Sequence, residues 1–198
     1  MIENDRLARQ IEFLVEIDKL KQVYRQTWLM DRSRRENDAE HSWHLAVLAV
    51  LLAEYAAEPG LDLLKVLKIV LIHDLVEIDA GDTYAYDADR QQDQAQRERT
   101  AADHIFAILP PDQAAEFRAY WDEFEARETP EARFAAALDR LQPLLHNYYT
   151  EGKAWREHGI TSDQVFARNR PAADGSPVLC QYAESLIRDA VEKGYLAE

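Results

Sequence analysis

The sequence predicts an all-α fold, a single compact bundle of about six to eight helices. Long stretches are rich in Ala, Leu, Glu, Arg and Gln, which favour helices, whereas runs of β-branched residues are short. Apolar residues make up 47% of the 198 residues, which is enough for a hydrophobic core. A chain of this length suits one domain, so we expect residues 1–198 to fold together.

Apolar residues at three-to-four residue spacing, bounded by capping residues, Pro and Gly, predict each helix in turn. The expected helices cover about residues 4–24, 37–57, 62–78, 91–109, 112–127, 131–150 and 176–193. Asn37 or Asp38 is expected to cap the second helix, and Gly81 to close the third. Residues 83–90 are predicted to form a loop, and residues 152–170 a connection with one short helix.

Composition argues against several classes of protein. The formal net charge of −14 argues against a nucleic-acid groove, which needs a basic stripe. The single Cys180 excludes an intramolecular disulfide and suits a reducing compartment. No apolar signal core opens the chain, and no run of about 18 apolar residues is present to cross a membrane. We therefore expect a soluble cytoplasmic protein with no nucleic-acid or membrane partner.

The dipeptide His73-Asp74 is the strongest local signal of chemistry. It follows the nearly continuous apolar run from Leu67 to Ile72, so a helix there would be buried. Burying an imidazole beside a carboxylate costs several kcal/mol unless each group finds a partner. Two interpretations follow from these residues alone, a buried His–Asp hydrogen bond and a metal site.

Two further residues extend the pattern to His … His-Asp … Asp. His41 precedes His73 by 32 residues, and Asp139 follows Asp74 by 65. Taken singly, His41 is typical of a capping or surface residue, and Asp139 of an ion pair with Arg140. Together, two imidazoles and two carboxylates on three helices suit Mn²⁺, Fe²⁺, Co²⁺, Ni²⁺ or Zn²⁺ better than Ca²⁺. Four such ligands leave room for water and a substrate oxygen.

The dispersed pattern resembles that of the HD-domain metal-dependent phosphohydrolases, and within them the HD-domain 5′-deoxynucleotidases. The matching segments are Arg25-Gln-Thr-Trp28-Leu, Glu40-His41-Ser42, His73-Asp74-Leu-Val-Glu77, Gly81-Asp82 and Leu138-Asp139-Arg140-Leu141. The resemblance implies an all-α HD domain with a metal-site core over about residues 15–150, on which helices of residues 151–198 pack. It also implies a homodimer.

The resemblance implies a role for each matching residue. The implied ligands of one divalent transition metal ion (Mn, Co, Fe, Ni or Zn, with Mg as a further option) are His41, His73, Asp74 and Asp139. The implied proton-handling residues are Glu77 and Asp82, and the implied substrate-binding residues are Arg25, Trp28, Asp82 and Thr83. On a regular helix Glu77 projects from the same face as His73, one turn further on.

Three other aromatic and imidazole side chains stand near these motifs. Tyr84 and Tyr86 are candidate nucleoside contacts from the predicted loop. His44 lies one turn after His41, but without an adjacent glutamate base a His-x-x-His zinc site is a weak interpretation, and we expect a structural role.

The predicted function is metal-dependent hydrolysis of the phosphate monoester of a (deoxy)nucleoside 5′-monophosphate. Superfamily membership leaves the substrate open, because pockets differ on a shared fold. The alternatives are an HD-type phosphodiesterase, a nucleoside-triphosphate hydrolase, and a non-catalytic nucleotide-binding regulatory domain. Iron-dependent oxygenation is a further alternative, although the sequence offers few extra histidines for two irons. The expected partner is a small phosphorylated molecule.

Overall fold

A computed structural model describes residues 4–198, except for the side chains of residues 88–91. This part of the chain contains ten α-helices and one two-stranded sheet. The helices are α1 (Asp5–Glu16), α2 (Asp38–Leu52), α3 (Leu63–Ile72), α4 (Glu77–Ala80), α5 (Ala88–Phe106), α6 (Pro111–Ala126), α7 (Pro130–Tyr149), α8 (Lys153–His158), α9 (Ser162–Asn169) and α10 (Pro177–Glu192). Short 3₁₀ segments span Ile17–Gln22, Ala53–Tyr55, His73–Val76 and Arg170–Asp174. The predicted all-α class is confirmed. The described helices outnumber the expected six to eight, because α4 is a short separate helix and the 152–170 connection forms two helices, α8 and α9.

Capping residues start the helices that carry the site. The Asn37 side chain accepts a hydrogen bond from the backbone N–H of Glu40 (3.0 Å), and the Glu40 carboxylate accepts one from the N–H of Asn37 (3.2 Å). This reciprocal capping box begins α2 four residues before His41. Asp62 caps α3 through a single hydrogen bond, which its side chain accepts from the N–H of Lys65 (3.1 Å). Gly81 ends α4 at φ 73°, a left-handed conformation that Gly adopts without strain.

The predicted helix over residues 62–78 is interrupted at His73. The α-helical winding ends at Ile72, tightens to a 3₁₀ helix over His73–Val76, and resumes in α4. A 3₁₀ helix advances about 120° per residue, against about 100° in an α-helix. The side chains after Ile72 therefore point in directions that a continuous α-helix would not give them.

A β-hairpin, which the sequence did not predict, precedes α2. Strand β1 (Tyr24–Trp28) pairs antiparallel with strand β2 (Arg35–Asn37), with Trp28 opposite Arg35. The signal is weak because the strands are short and the turn between them is crowded with charged residues. Along β2, the side chains of Glu36 and Asn37 are buried, so this polar segment lines the protein interior.

The hydrophobic core lies on both faces of α3. One cluster joins α2, α3, α7 and α10, and its fully buried side chains include Leu45, Ile69, Phe134, Leu138 and Ile187. A second cluster fills the space between α1, α5, α6 and the 3₁₀ segment after α3. Helix α7 is central, and most of its side chains are buried, including Asp139 and Gln142. Among the described helices, none combines the length and apolarity that crossing a membrane requires.

Candidate functional site

Three separate elements bring His41, His73 and Asp139 together. His41 comes from the start of α2, His73 from the 3₁₀ turn after α3, and Asp139 from the middle of α7. Each offers one ligand atom, and these atoms lie within 4.8 Å of one another. His41 Nε2 is 3.2 Å from Asp139 Oδ1, and His73 Nε2 is 4.0 Å from the same oxygen. We call these three residues the histidine cluster.

Asp74 lies against the histidine cluster. Its Oδ1 is 3.0 Å from His73 Nε2, and its Oδ2 is 3.8 Å from His41 Nε2. The four residues implied as metal ligands are therefore neighbours in space, although they are spread over 99 positions of the sequence, counting both ends. All four side chains are buried.

The chemistry of these donors fits a divalent cation. His73 Nδ1 lies 2.9 Å from the carbonyl oxygen of Val70 and donates a hydrogen bond to it, which leaves the lone pair of the neutral imidazole on Nε2. Within the described part of the chain, that Nε2 is buried without a hydrogen-bond partner. Leaving a buried nitrogen unpaired is costly, and a metal ion with mixed nitrogen and oxygen ligands satisfies it.

The electrostatics of the histidine cluster favour an ionised carboxylate. Burial alone would raise the pKa of Asp139, but the hydrogen bond from His41 and the nearby imidazoles hold that pKa well below its usual value. Burial and Arg25 oppose the protonation of His41, yet the contacts with Asp139 and Asp74 raise its pKa. Burial lowers the pKa of His73, so its imidazole favours the neutral form that a metal ligand requires.

A second group of acids, Asp38, Glu77 and Asp82, lies nearby, and two of them, Glu77 and Asp82, line a cavity together with His73 and Asp139. The carboxylate oxygens of the three acids lie within 4.8 Å of one another, and we call this group the carboxylate cluster. Burial and the charges of Asp74, Asp38 and Asp82 raise the pKa of Glu77 well above its usual value. Burial and the charge of Asp74 raise the pKa of Asp38 to about 7. This cluster therefore binds a proton far more readily than free carboxylates do.

Asp38 is a site residue that the sequence analysis missed. It was considered there only as a helix cap, whereas Asn37 caps the helix and Asp38 is fully buried. The spacing of Asp38 could have indicated a role in the site, because it precedes His41 by three residues and so shares a helix face with it. Arg168 was missed too, since it lies in α9, which was predicted as part of a connection. Its Nη2 is 3.8 Å from Asp139 Oδ2.

Glu77 does not project from the same helix face as His73, although a regular α-helix would place both side chains on one face. Four residues of α-helix leave two side chains about 40° apart, whereas four residues of 3₁₀ helix leave them about 120° apart. The 3₁₀ turn over His73–Val76 thus directs Glu77 to the carboxylate cluster, although both side chains line the cavity.

Arg25, on strand β1 of the hairpin, links Asp74, which lies against the histidine cluster, to Asp38 of the carboxylate cluster. Its Nη1 is 2.8 Å from Asp74 Oδ2 and 3.0 Å from Asp38 Oδ1. These two carboxylates overcome the effect of burial and raise the pKa of Arg25 well above its usual value, so the guanidinium stays charged. It lines the cavity, together with Asp82 and Thr83.

Residues of the loop after α4 line the cavity, whereas Trp28 does not belong to its described lining. Tyr84 and Tyr86 line it, with ring centroids 5.3 Å apart. Burial raises the pKa of Tyr86 to about 12, so its hydroxyl stays protonated. Trp28 is absent from the described lining. Its indole N–H instead donates to Glu157 (3.0 Å), and Lys153 Nζ lies 3.1 Å from its ring centroid.

His44 is directed away from His41, into a group with Glu36 and His146. This placement separates His44 from the proposed metal ligands, and its structural role stays a prediction.

Comparison with known sequences relates the chain to one family. The profile of the family described as "HD domain" matches residues 17–179. The 5′-deoxynucleotidase HDDC2 of Homo sapiens is 28% identical over 136 residues, which is 68% of this chain and 65% of that protein. The Xenopus laevis protein of the same name is 26% identical, over 68% of this chain and 66% of its own length. The matches thus span just under two thirds of these relatives.

Solved structures show the same likeness. A crystal structure from Magnetospirillum magnetotacticum MS-1, described as a predicted metal-dependent phosphohydrolase, is 55% identical and superimposes with a TM-score of 0.95. It covers 100% of this chain and 99% of its own. An HD-domain phosphohydrolase from Listeria innocua is 15% identical, with a TM-score of 0.67 over 92% of this chain and 90% of its own, and shares the fold.

Proposed function

Because the chain belongs to the HD domain family, we propose that it is a metal-dependent phosphohydrolase that releases phosphate from deoxynucleoside 5′-monophosphates. The observation that carries this proposal is the convergence of His41, His73 and Asp139, from three elements, to within 4.8 Å. The names of the relatives, 5′-deoxynucleotidase and metal-dependent phosphohydrolase, support the same reaction.

The proposed ligands of one divalent cation are His41, His73, Asp74 and Asp139. Their nitrogen and oxygen donors suit Mn²⁺, Fe²⁺, Co²⁺, Ni²⁺ or Zn²⁺, and Mg²⁺ is a further candidate. A bound cation of this kind lowers the pKa of a water molecule and polarises a phosphoryl oxygen.

The carboxylate cluster is proposed to move the protons. The raised pKa of Glu77 makes it a stronger base, once ionised, than an exposed glutamate. It accepts the proton that the attacking water loses as the new P–O bond forms. The same proton then passes to the 5′-oxygen of the nucleoside as the old P–O bond breaks. Asp82 lies beside Glu77 and helps to orient the water.

Arg25 is proposed to hold the phosphate. A guanidinium offers paired N–H donors that match phosphate oxygens, and this one keeps its charge at the cavity wall. It also offsets, locally, the repulsion between an anionic substrate and a chain of net charge −14. Thr83, Tyr84 and Tyr86 line the cavity next to the carboxylate cluster and are proposed to contact the nucleoside.

The test is phosphate release by protein that has been stripped with a chelator. Each ribo- and deoxyribonucleoside 5′-monophosphate is offered, with Mn²⁺, Co²⁺, Mg²⁺, Zn²⁺ or Ni²⁺ added back singly and Asp74→Asn as control. We expect release that a metal restores and that the variant loses. A fully active Asp74→Asn protein would contradict the metal assignment.

Product analysis separates the remaining reactions on the same fold. A monoester product from a diester would indicate a phosphodiesterase, and pyrophosphate or tripolyphosphate from a triphosphate would indicate a triphosphate hydrolase. Tight nucleotide binding without turnover under any metal would indicate a regulatory domain.

We also propose that the enzyme is a homodimer in the cytoplasm. Apolar side chains are exposed on the first and last helices, at Leu7, Ile11, Leu14, Val15, Val178 and Tyr182. Light scattering on the purified protein measures the oligomeric state, and a monomer at micromolar concentration would contradict the dimer.

A further inference from the structure

A buried polar network lies behind His41, on the side away from the cavity. His41 Nδ1 is 3.0 Å from the side-chain oxygen of Gln142, and Gln142 Nε2 is 2.6 Å from Glu36 Oε1 and 3.0 Å from His146 Nε2. These four residues are at most 3% exposed. Nothing in the proposed reaction uses Gln142, Glu36 or His146, yet burying so many polar groups is costly unless they act together.

The hydrogen-bond role of each group in the network follows from the contact between His146 and the Trp28 carbonyl. His146 Nδ1 lies 2.9 Å from the carbonyl oxygen of Trp28, which can only accept a hydrogen bond. The proton of His146 is therefore on Nδ1, and its Nε2 accepts. The Glu36 carboxylate, held by the Thr27 hydroxyl at 3.2 Å, also accepts. Both N–H bonds of Gln142 thus have acceptors, in Glu36 and His146.

The side-chain oxygen of Gln142 must consequently face His41. A reversed amide would place this oxygen against the Glu36 carboxylate, where two acceptors repel each other. With the oxygen facing His41 Nδ1, the neutral imidazole that a metal requires keeps its proton on Nδ1 and its lone pair on Nε2, 3.2 Å from Asp139. The hydrogen bond from Nε2 to Asp139 forms when His41 carries a second proton. A reversed amide would force the proton onto Nε2 and block that position.

We propose that Gln142 is a positioning residue, which holds His41 in the tautomer that presents Nε2 to the metal, and that Glu36 and His146 fix the Gln142 amide for this purpose. The inference rests on the proposed role of His41 as a metal ligand. It assigns a function to the hairpin, because Trp28 and Thr27 of β1 and Glu36 of β2 form the far end of the network. His44 Nδ1, at 3.3 Å from Gln142 Nε2, is the most distant neighbour of this amide and is not required.

The first test compares metal affinity in variants of nearly equal volume. Gln142→Met removes the acceptor for His41 Nδ1, and we expect it to weaken metal binding about 10- to 100-fold, the usual effect of losing a residue that supports a ligand. The double variant Glu36→Gln with Gln142→Glu exchanges the amide and the carboxylate. It keeps the net charge and an acceptor at His41 but sets a carboxylate oxygen against His146 Nε2, so we expect it to recover part of the lost affinity.

Thr150→Val is the matched control for a purely structural effect. Thr150 is 1% exposed in the turn that ends α7, and its hydroxyl donates to the His146 carbonyl at 2.7 Å, away from Gln142. We expect this variant to lower the thermal midpoint of the metal-free protein while its metal affinity stays unchanged. Competition with a chromophoric chelator measures affinity in each variant.

The second test needs no substitution and so does not depend on a variant folding. Nitrogen-15 NMR of the zinc-loaded protein distinguishes a protonated, a metal-bound and a free ring nitrogen. We expect His41 to show a protonated Nδ1 and a metal-bound Nε2. A His41 bound through Nδ1 would overturn the proposal, as would a folded Gln142→Met protein with unchanged affinity.

The outcome also separates this inference from the proposed function. Absence of metal binding by the unmodified protein would overturn both. Metal binding that Gln142→Met weakens, in a protein without nucleotidase activity, would support the positioning role and contradict the proposed substrate alone.

Discussion

The histidine cluster and the carboxylate cluster both contribute to one cavity but have opposite proton affinities. In the first, the imidazoles of His41 and His73 hold the pKa of Asp139 well below its usual value. In the second, burial and neighbouring acids raise the pKa of Glu77 well above its usual value. Burial alone raises a carboxyl pKa, so the neighbours decide the difference. One cluster is suited to hold a cation, and the other to exchange protons.

The largest expected effect comes from Asp139→Asn. The variant removes the carboxylate that the histidine cluster keeps ionised, so we expect phosphate release to disappear. Metal affinity should fall by more than the roughly 100-fold that loss of a supporting residue costs. Chelator competition measures it, and a variant that binds metal like the unmodified protein would remove Asp139 from the ligand set.

Glu77→Gln tests the other side of the comparison. An amide cannot take the proton of the attacking water, so we expect kcat to fall about 100- to 10,000-fold, the usual contribution of a general base. Metal affinity should change far less than in Asp139→Asn. If both variants lose metal equally, the two clusters form one metal site, and the proposed division of roles between them is wrong.

Arg25→Lys tests whether Arg25, which lies between the two clusters, binds the phosphate or takes part in proton handling. Lysine keeps the positive charge beside Asp38 and Asp74 but loses the paired donors. We expect kcat/KM to fall about 10- to 100-fold, the equivalent of one hydrogen bond to a charged group. Steady-state kinetics should show the loss mainly in KM. A loss confined to kcat would instead place Arg25 with the proton-handling groups.

The pH dependence of stability tests the carboxylate cluster without substrate. The pKa of Glu77 is raised in the folded protein, so the unfolded chain releases this proton first, and unfolding becomes more favourable as pH rises above about 4.3. We expect the metal-free protein to lose about 1.4 kcal/mol per pH unit from this group until its folded pKa is reached. Urea denaturation at several pH values, with Glu77→Gln as control, measures the slope. An identical slope in both proteins would refute the shift.

The smallest effect is expected from Trp28→Phe, which lies outside both clusters. The variant loses the hydrogen bond from the indole to Glu157, so the free energy of unfolding should fall by only about 0.5–1.5 kcal/mol. KM should stay the same, because Trp28 does not line the described cavity. A marked rise in KM would return Trp28 to the substrate-binding residues.

The sequence predicted the helices and the buried His73-Asp74 pair well, because both depend on strong local patterns. Apolar periodicity located α1, α2 and α3, and the unusual burial of His73-Asp74 signalled a site within a hydrophobic helix. The dispersed positions of His41 and Asp139 were informative only through a family resemblance, since no local rule shows that residues 98 positions apart meet.

The remaining features depend on tertiary structure and left little trace in the sequence. The hairpin was missed because its strands are short and charged, and with it Glu36 as a buried residue. The 3₁₀ turn at His73 carries no Pro or Gly to mark it, so the direction of Glu77 was misjudged. Gln142 and His146 carry meaning only once Trp28 and Glu36 are placed beside them.

The contact between His146 and Trp28 has a consequence for protein engineering. The group that accepts the His146 proton is the main-chain carbonyl of residue 28, which every amino acid possesses. Side chains at this position can therefore be exchanged while the tautomer of His146 is preserved, provided the strand keeps its path. Mutational libraries can thus vary residue 28 to seek new surface properties, at the cost of the side-chain contacts of Trp28 with Glu157 and Lys153 but without loss of the link to the metal site.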